Sequence, residues 1–353
     1  MALRSEGLKA VDDHGGSLDR ADALFPDAPK PWIDLSTGIN PHPYPLFTLP
    51  ATAFTRLPEE KGVAELCAIA AHAYGAPSGE NVVAAGGTQI LLPLVAALVP
   101  AGQAHVLGPT YAEHIRAAAL AGHRVEETNA FERLADADLT IVVNPNNPDG
   151  RVVKRAALLD LARTLRAKDG LLVVDEAFMD VGPRPDTHDE SLAPDIGEGN
   201  IVVLRSFGKF FGLAGVRLGF ALAAPQTAAW LKARLGPWAV SGPALAYGTK
   251  ALADHRWQQA MRLRLAAEAE GLDRLFAQYG FPALGGTSLY RFFRREQAQS
   301  LFRFLGERGI LTRRFPEHPC DLRVGLPAGT AEAERLAVAL ARWSVQASKE
   351  RTG

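Results

Sequence analysis

Residues 205–219 read RSFGKFFGLAGVRLG, and they follow the apolar run IVVL at residues 201–204. The apolar run predicts a buried strand, and the glycines after it predict a turn. Lys209 therefore falls at a strand end among apolar neighbours, where a lysine can lose its proton and act as an amine nucleophile. A strand followed by an ordinary surface loop would have the same local pattern, so the segment gains its meaning from the motifs around it.

The same segment carries groups that suit an anion. Ser206, Arg217 and the backbone N–H groups of the turn can together hold a phosphate. A nucleophilic amine beside a phosphate site is what pyridoxal phosphate requires, because this cofactor is bound by a Schiff base at one end and through its phosphate at the other. The segment therefore predicts pyridoxal 5'-phosphate as the cofactor.

Length and composition limit the class of protein. The chain has 353 residues, which favours about two domains, and its formal net charge of -1 gives no sign of a nucleic-acid or membrane partner. Cys67 and Cys320 are far apart and have no C-x-x-C spacing, which argues against a disulfide framework or a zinc site and fits a reducing compartment. Residues 1–22 have no signal-peptide pattern, and the longest apolar run, 90–99, is too short to span a bilayer. The sequence therefore predicts a cytoplasmic protein.

The apolar pattern divides the chain into three parts. Prolines interrupt residues 1–45, which we interpret as an N-terminal arm that contributes to the small domain and the active site. Residues 46–242 alternate apolar runs with helical patterns, which predicts a large cofactor-binding α/β domain with a mostly parallel sheet. Residues 243–353 predict a smaller α+β domain, in which one long helix covers 244–279. The strands expected in the large domain lie at 81–85, 104–107, 139–143, 171–174 and 201–204, and its helices at 62–74, 88–98, 112–121 and 154–167.

Ligands of such sheets bind beyond the carboxyl ends of the strands, and two further motifs fall there. Asp175 and Glu176 follow the apolar run 171–174, where a carboxylate could keep a pyridine nitrogen protonated; a helix cap or a metal ligand is the alternative. Asn147 lies in NPNNPDG, residues 144–150, and its side chain could donate to a phenolic oxygen. The same residues also make ordinary β-turns.

Two other strand ends carry weaker signals. Gly86, Gly87 and Thr88 join a strand to a helix, so their N–H groups form either an anion site at the helix N-terminus or a plain helix cap. Tyr111 follows the next strand and could lay its ring over a flat ligand, or pack in the core. Their order along the chain, together with the lysine segment, favours the functional alternatives.

In this order the motifs resemble those of the fold-type I pyridoxal-phosphate enzymes of the class I and II aminotransferase superfamily, whose fold is aspartate aminotransferase-like. The resemblance covers most of the chain, from the arm to the last strand. It implies that Lys209 is the catalytic lysine of the Schiff base and that Asp175 is the catalytic carboxylate that pairs with the pyridine nitrogen. It also implies that Asn147 bonds the phenolic oxygen, that Tyr111 stacks on the ring, and that Gly87, Thr88, Ser206 and Arg217 hold the phosphate.

Within the superfamily, the chain resembles the histidinol-phosphate aminotransferase branch and, more narrowly, the threonine-phosphate decarboxylases of cobalamin biosynthesis. The residues that carry this resemblance are HGG at 14–16, DLSTGINP at 34–41, PYP at 43–45 and DEAF at 175–178. It implies a homodimer that decarboxylates L-threonine O-3-phosphate to (R)-1-aminopropan-2-yl phosphate. A histidinol-phosphate or related aminotransferase is the alternative, because the two reactions share the same substrate–cofactor adduct and differ in which Cα bond lies perpendicular to the ring.

The resemblance also assigns contacts to the substrate. Arg323 would bind the substrate carboxylate and Arg313 the carboxylate or the phosphate, because the planar fork of arginine suits both anions. His14 would add a contact to the phosphate. Taken singly, each arginine would be a solvated charge and His14 an exposed residue. Gly38, Ile39 and Asn147 complete the predicted substrate site, and no metal is expected.

Three positions depart from the family pattern. Phe178 stands where many relatives have tyrosine, so the phenolic oxygen of the cofactor would lose one hydroxyl partner. Gly208 replaces the serine or threonine that often precedes the lysine, and Leu57 stands where a tyrosine commonly reaches the phosphate of the neighbouring subunit. These departures concern details of cofactor binding and of the contact between subunits.

Two other classes of protein fit the sequence less well. A binding protein on the same fold that has no cofactor would lack Lys209. A nucleotide-binding α/β protein would need a glycine-rich loop followed by Lys-Ser/Thr or by a ribose-binding acid, and residues 86–88 have neither.

Overall fold

The structure is a computed structural model that describes residues 14–181 and 190–350. The chain divides into two compact units. Among the described residues, the large unit comprises Pro43–Asn147 and Arg151–Gln259, and the small unit comprises 14–42, Pro148–Gly150 and 260–350. The predicted division into an arm, a large domain and a small domain stays a prediction. Residues 1–13 of the predicted arm lie outside the described residues.

The strands are β1 (Ile33–Asp34), β2 (Val82–Ala85), β3 (Gln103–Leu107), β4 (Arg124–Thr128), β5 (Leu139–Val143), β6 (Leu171–Asp175), β7 (Ile201–Ser206), β8 (Gly219–Leu222), β9 (Gly285–Thr287), β10 (Tyr290–Arg294), β11 (Ile310–Leu311), β12 (Arg313–Arg314) and β13 (Asp321–Gly325). The helices are α1 (Leu18–Leu24), α2 (Thr52–Thr55), α3 (Glu60–Tyr74), α4 (Thr88–Ala96), α5 (Glu113–Leu120), α6 (Arg155–Arg166), α7 (Phe207–Phe210), α8 (Pro225–Leu235), α9 (Gly242–Ala253), α10 (His255–Gln278), α11 (Ala298–Gly306) and α12 (Thr330–Glu350).

The large unit is built on one sheet with the strand order β2-β8-β7-β6-β5-β3-β4. Strand β8 runs antiparallel to both of its neighbours, and the other pairs are parallel. Every residue of β5, β6 and β7 is buried, which explains why these strands are continuous apolar runs in the sequence. The predicted α/β architecture with a mostly parallel sheet is confirmed.

One face of this sheet packs against α4, α5 and α8 in a single apolar core cluster, to which Val173 of β6 and Leu204 of β7 belong. Asp175 and Ser206 each lie two residues farther along the same strands, so their side chains point to the same face as that cluster. The carboxyl ends of β6 and β7 are neighbours, since Asp175 is in register with Leu204. The sheet therefore brings two predicted site residues to one edge and one face.

The small unit contains two sheets. The larger sheet has the strand order β12-β13-β10-β9, and all of its pairs are antiparallel. In the smaller sheet, β1 of the predicted arm pairs in parallel with β11, and Ile33 lies opposite Ile310. Helix α1 begins after Ser17, whose side chain accepts the N–H of Arg20. Within the described residues, no helix is both long and apolar enough to cross a membrane.

The predicted long helix at 244–279 is wrong, because Asp254 separates two helices, α9 and α10. Asp254 leaves the helical conformation at φ -87° and ψ 72°. Its carboxylate accepts the N–H of Trp257 at 3.0 Å, so it caps the start of α10 in the way that aspartate caps helix N-termini.

Candidate active site

Asp175 is a buried carboxylate at the end of β6, and only 5% of its surface is exposed. One oxygen accepts the N–H of Ala177 at 3.0 Å, and the other lies 2.8 Å from Nε2 of His114. An ionised carboxylate can only accept, so Nε2 of His114 carries the hydrogen in this pair. Two donors on different sides of the carboxylate thus fix its orientation.

His114 lies on α5, is buried, and was not identified from the sequence. A lone histidine on a helix has no local pattern that marks it. Its ring makes an edge-on contact with the ring of Tyr111, three residues earlier, with 5.9 Å between the ring centres. Tyr111, the predicted stacking residue, donates its hydroxyl to Gln89 at 3.1 Å. The structure therefore places Tyr111 beside the histidine that holds Asp175.

Lys209 follows β7 on the one-turn helix α7. Its Nζ lies 5.7 Å from the centre of the Phe178 ring, within the range of a cation–π contact. Phe178 follows the end of β6 by three residues, so this contact places the lysine amine at the strand end that carries Asp175. Phe178, which stands where the family pattern has tyrosine, therefore contacts the amine of Lys209 through its ring and offers it no hydroxyl group.

The predicted phosphate ligands of the large unit come together at the start of α4. Gly87 has a φ of 95°, and a Cβ at this position would lie 2.7 Å from Nη2 of Arg217. A Cβ at Gly219 would lie 2.5 Å from the backbone nitrogen of Thr88, and Gly219 is in register with Ser206. A guanidinium, the N–H groups at a helix N-terminus and a hydroxyl therefore form one cradle, with donors that suit a phosphate.

Asn147 follows β5, the neighbour of β6 in the sheet, and is the last residue of the segment Pro43–Asn147 of the large unit. The residue before it, Asn146, accepts the hydroxyl of Thr110 at 2.6 Å and donates to the carbonyl of Pro109 at 3.1 Å. These bonds tie the loop before Asn147 to the loop that carries Tyr111. The predicted role of Asn147 toward a phenolic oxygen stays a prediction.

These features fit pyridoxal phosphate. The cradle at α4 offers a cation and N–H donors to its phosphate, and the buried Asp175 offers a negative charge to a protonated ring nitrogen. Lys209 provides an amine near the end of β6, the strand that carries Asp175. Gly87 and Gly219 leave the cradle open where any side chain would meet the donors.

In the small unit, Arg313 of β12 and Arg323 of β13 are directly opposite each other in register, so they lie on the same face. Arg323 is buried, donates to the carbonyl of Ser36 at 2.8 Å, and lies 5.0 Å from the centre of the Tyr290 ring. Burial lowers the pKa of Arg323 to about 10, so its guanidinium is still charged at neutral pH. The pair places two guanidinium groups on one face of this sheet, and its predicted role as a substrate anion site stays a prediction.

His14 lines a cleft in the small unit together with Ser36 and Arg313. Arg20 and Arg314 are further basic residues in its lining. The structure thus brings His14 and Arg313 to one cleft. The loop after β1 packs against the end of β13, because a Cβ at Gly325 would lie 2.6 Å from the carbonyl oxygen of Thr37. Gly38 and Ile39 follow Thr37 directly in this loop, and their predicted contact with the substrate stays a prediction.

Comparison with known proteins gives consistent results. The sequence matches the family described as "Aminotransferase class I and II" over residues 31–340. It is 42% identical to threonine-phosphate decarboxylase of Pseudomonas aeruginosa and 42% identical to that of Sinorhizobium sp; both matches cover 93% of this chain and 97% of the relative. The histidinol-phosphate aminotransferase from Sinorhizobium meliloti, solved in complex with pyridoxal-5'-phosphate, superposes with a TM-score of 0.79 at 21% identity, covering 98% of this chain and 99% of that one. The aspartate aminotransferase-like fold is confirmed.

Proposed function

The chain belongs to the class I and II aminotransferase family, and on this premise we propose that it decarboxylates L-threonine O-3-phosphate to (R)-1-aminopropan-2-yl phosphate with pyridoxal 5'-phosphate as cofactor. The product is the phosphorylated aminopropanol of cobalamin biosynthesis. The observation that carries the proposal is the presence of two separate cationic sites, the cradle at Arg217 and the pair of Arg313 and Arg323. One suits the phosphate of a cofactor, and the other suits a substrate with two anionic ends.

In the reaction the Cα–carboxylate bond breaks, carbon dioxide leaves without the bonding electron pair, and a proton replaces the carboxylate at Cα. Pyridoxal phosphate supplies the electron-withdrawing ring that accepts this electron pair when its nitrogen is protonated. Asp175 would hold that proton through its charge, and His114 keeps the carboxylate oriented by donating to it at 2.8 Å. Lys209 would bind the cofactor covalently and return a proton to Cα.

The arginines would decide which bond breaks. The bond that is cleaved must stand perpendicular to the ring, so the residue that binds the substrate carboxylate controls the outcome. Arg323 has the fixed geometry for this task, since it is buried, bonded to Ser36 and packed on Tyr290. Arg313, His14 and the basic residues of their cleft would bind the phosphate.

The test is a product assay with the purified holoenzyme. Incubation with L-threonine O-3-phosphate should release carbon dioxide and phosphorylated aminopropanol, whereas L-threonine, which lacks the phosphate, should react far more slowly. Lys209→Ala is the inactive control, and borohydride reduction followed by peptide mapping should place the pyridoxyl label on Lys209. If threonine phosphate releases no carbon dioxide while glutamate or histidinol phosphate converts the cofactor to its pyridoxamine form, the protein is an aminotransferase.

We also propose that the protein acts in the cytoplasm as a homodimer. The large unit exposes three large apolar side chains within 46–57, namely Leu46, Phe54 and Leu57, which are 73%, 68% and 63% exposed. Exposed apolar residues that are close in sequence favour a surface that a second copy covers. Leu57 also occupies the position where relatives carry a tyrosine that reaches the neighbouring subunit, so a leucine there would contribute only an apolar contact.

A further inference from the structure

A buried ion pair connects the ends of β6 and β7. Nη2 of Arg205 lies 3.0 Å from a carboxylate oxygen of Glu176, and the two side chains are 3% and 0% exposed. Glu176 is the residue after Asp175, and Arg205 is the residue before Ser206. The pair therefore links the two strand ends immediately beside the residues that we place at the cofactor.

The pair lies on the other face of the sheet. Successive side chains of a strand point to opposite faces, so Arg205 points away from the face that holds Ser206 and the core cluster with α4 and α5. Glu176 contacts Arg205 and thus lies on that opposite face as well. Neither residue is in a position to touch a cofactor bound at Asp175, so any effect on the chemistry must pass through the strands.

Both ends of the pair are held by several groups. The Glu176 carboxylate accepts the hydroxyl of Ser191 at 2.7 Å and the N–H of Leu192 at 2.8 Å, and its own N–H donates to the carbonyl of Leu204 in β7 at 2.9 Å. Arg205 also donates to Ser191 at 3.0 Å. These bonds leave the two side chains one arrangement.

The guanidinium of Arg205 is confined on its remaining sides. Its central carbon lies 4.8 Å from the centre of the Tyr74 ring, and Nη1 lies 3.3 Å from a carboxylate oxygen of Asp180. Burial raises the pKa of Glu176, and Arg205 acts against that shift. A buried ion pair of this kind is weak evidence for stability, because apolar residues of similar volume often serve a fold as well. The alternative role for such a pair is to fix local geometry.

We propose that the pair of Glu176 and Arg205 is a positioning device, which fixes the ends of β6 and β7 against each other and so sets Asp175 relative to Ser206 and Lys209. The inference rests on the proposed role of these three residues at pyridoxal phosphate. Glu176 and Arg205 are positioning residues, since they act through the strand ends and not on the reacting atoms.

The decisive variant is Arg205→Lys. It keeps the buried positive charge but replaces the planar fork, which can bond two acceptors in fixed directions, by a single flexible ammonium. We expect the affinity of the apoprotein for pyridoxal phosphate and kcat each to fall by about tenfold or more, because small misplacements of catalytic groups are costly. KM for threonine phosphate should change by less than about twofold, because the substrate arginines are in the small unit.

A readout in the apoprotein separates this inference from the proposed function. The Nε2 proton and nitrogen signals of His114 report its bond to Asp175, and we expect both to shift in Arg205→Lys. Failure of the unaltered protein to bind pyridoxal phosphate would overturn the proposed function, whereas the His114 signals would still test the positioning role.

The matched control is Arg155→Lys. Arg155 makes a two-pronged pair with Asp195 in the same unit, at 2.8 and 2.7 Å, but does not join β6 to β7. This control should leave the His114 signals and the cofactor affinity unchanged. A purely structural role for Arg205 predicts a lower melting temperature of Arg205→Lys with normal His114 signals, cofactor affinity and kcat, and that result would overturn the proposal.

A second variant covers the case in which Arg205→Lys does not fold. Glu176→Gln keeps the shape of the side chain and an acceptor for Leu192, but it removes the charge that orients Arg205. It should give the same changes in the His114 signals and in cofactor affinity. If neither variant folds, the pair is required for the fold itself and the positioning role is rejected.

Discussion

At the scale of single residues, Asp175 owes its usefulness to the two donors that fix it, the N–H of Ala177 and Nε2 of His114. The Asp175→Asn substitution keeps nearly the same volume but removes the charge that would hold a proton on the pyridine nitrogen. We expect kcat to fall by about 10²–10³, the scale of other preorganised electrostatic contributions. Steady-state assays should be paired with melting curves, with Asp195→Asn as a control outside the site. A variant that turns over at the normal rate would exclude the role.

Arg323 shows why arginine and lysine are not equivalent in a buried site. Burial lowers the pKa of the Arg323 guanidinium to about 10, and a lysine starts from a pKa about two units below that of arginine. In Arg323→Lys the amine would therefore lose its proton progressively as the pH rises from about 7 to about 9. KM for threonine phosphate should increase over this range in the variant and stay flat in the unaltered protein.

The control for this experiment is Arg313→Lys. Arg313 lies opposite Arg323 in the sheet but is only half-buried, so a lysine there should stay charged and give a much weaker pH dependence. Equal pH profiles of KM for the two variants would contradict the assignment of Arg323 as the buried anion ligand.

At the scale of elements, the N-terminus of α4 depends on a glycine for two reasons. Gly87 has a left-handed φ of 95°, and a Cβ there would meet the Arg217 guanidinium at 2.7 Å. The Gly87→Ala substitution should cost stability on the order of 1–3 kcal/mol through backbone strain and should weaken binding of pyridoxal phosphate by displacing Arg217.

Gly199 provides a matched control, since its φ is 94° and nothing lies within 4 Å of a Cβ at this position. Gly199→Ala should show a similar drop in melting temperature with normal cofactor affinity. Titration of both apoproteins with pyridoxal phosphate gives the two affinities. Equal affinities in the two variants would contradict the idea that Gly87 is needed to keep the phosphate site open.

Elements were predictable from the sequence where burial alone decides them. Strand β5 has the predicted bounds, 139–143, because a strand buried on both faces is a short, continuous apolar run. Strand β4, RVEET, is an edge strand with mostly polar residues, and it was missed because that pattern also fits a loop. The sequence pattern does not separate α9 from α10, because residues 244–279 are rich in Ala, Leu, Arg and Glu on both sides of Asp254. The bond of Asp254 to the N–H of Trp257 shows that α10 begins there.

Candidate site residues can be proposed from the sequence where a local motif marks them. Lys209, Asp175 and Arg217 each belong to a short pattern at a strand end. His114 has no such pattern, and its partner Asp175 is 61 positions away along the chain. The pairing of Glu176 with Arg205 likewise depends on β6 and β7 being neighbours in the sheet, which the order of strands along the chain does not specify.

At the scale of the whole molecule, the exposed apolar residues Leu46, Phe54 and Leu57 lead us to expect twice the chain mass in light scattering at micromolar concentration. Phe54→Lys should shift the protein toward monomer, because an association surface that buries an unpaired charge is weakened. Leu284→Lys changes an equally exposed apolar residue of the small unit and should leave the mass unchanged. A monomer for the unaltered protein would contradict the dimer.

The pairing of β1 with β11 has a consequence for the order in which the protein is made. The small unit is assembled from segments at opposite ends of the chain, and Ser36 bonds to a residue 287 positions later, Arg323. During synthesis β1 cannot pair with β11 until the segment that forms the large unit, and then β11 itself, have left the ribosome. Contacts at such separation form late, because closing a long loop costs entropy before any contact compensates for it. We expect hydrogen exchange during refolding to protect β5–β7 before β1, and simultaneous protection of these strands would contradict this order.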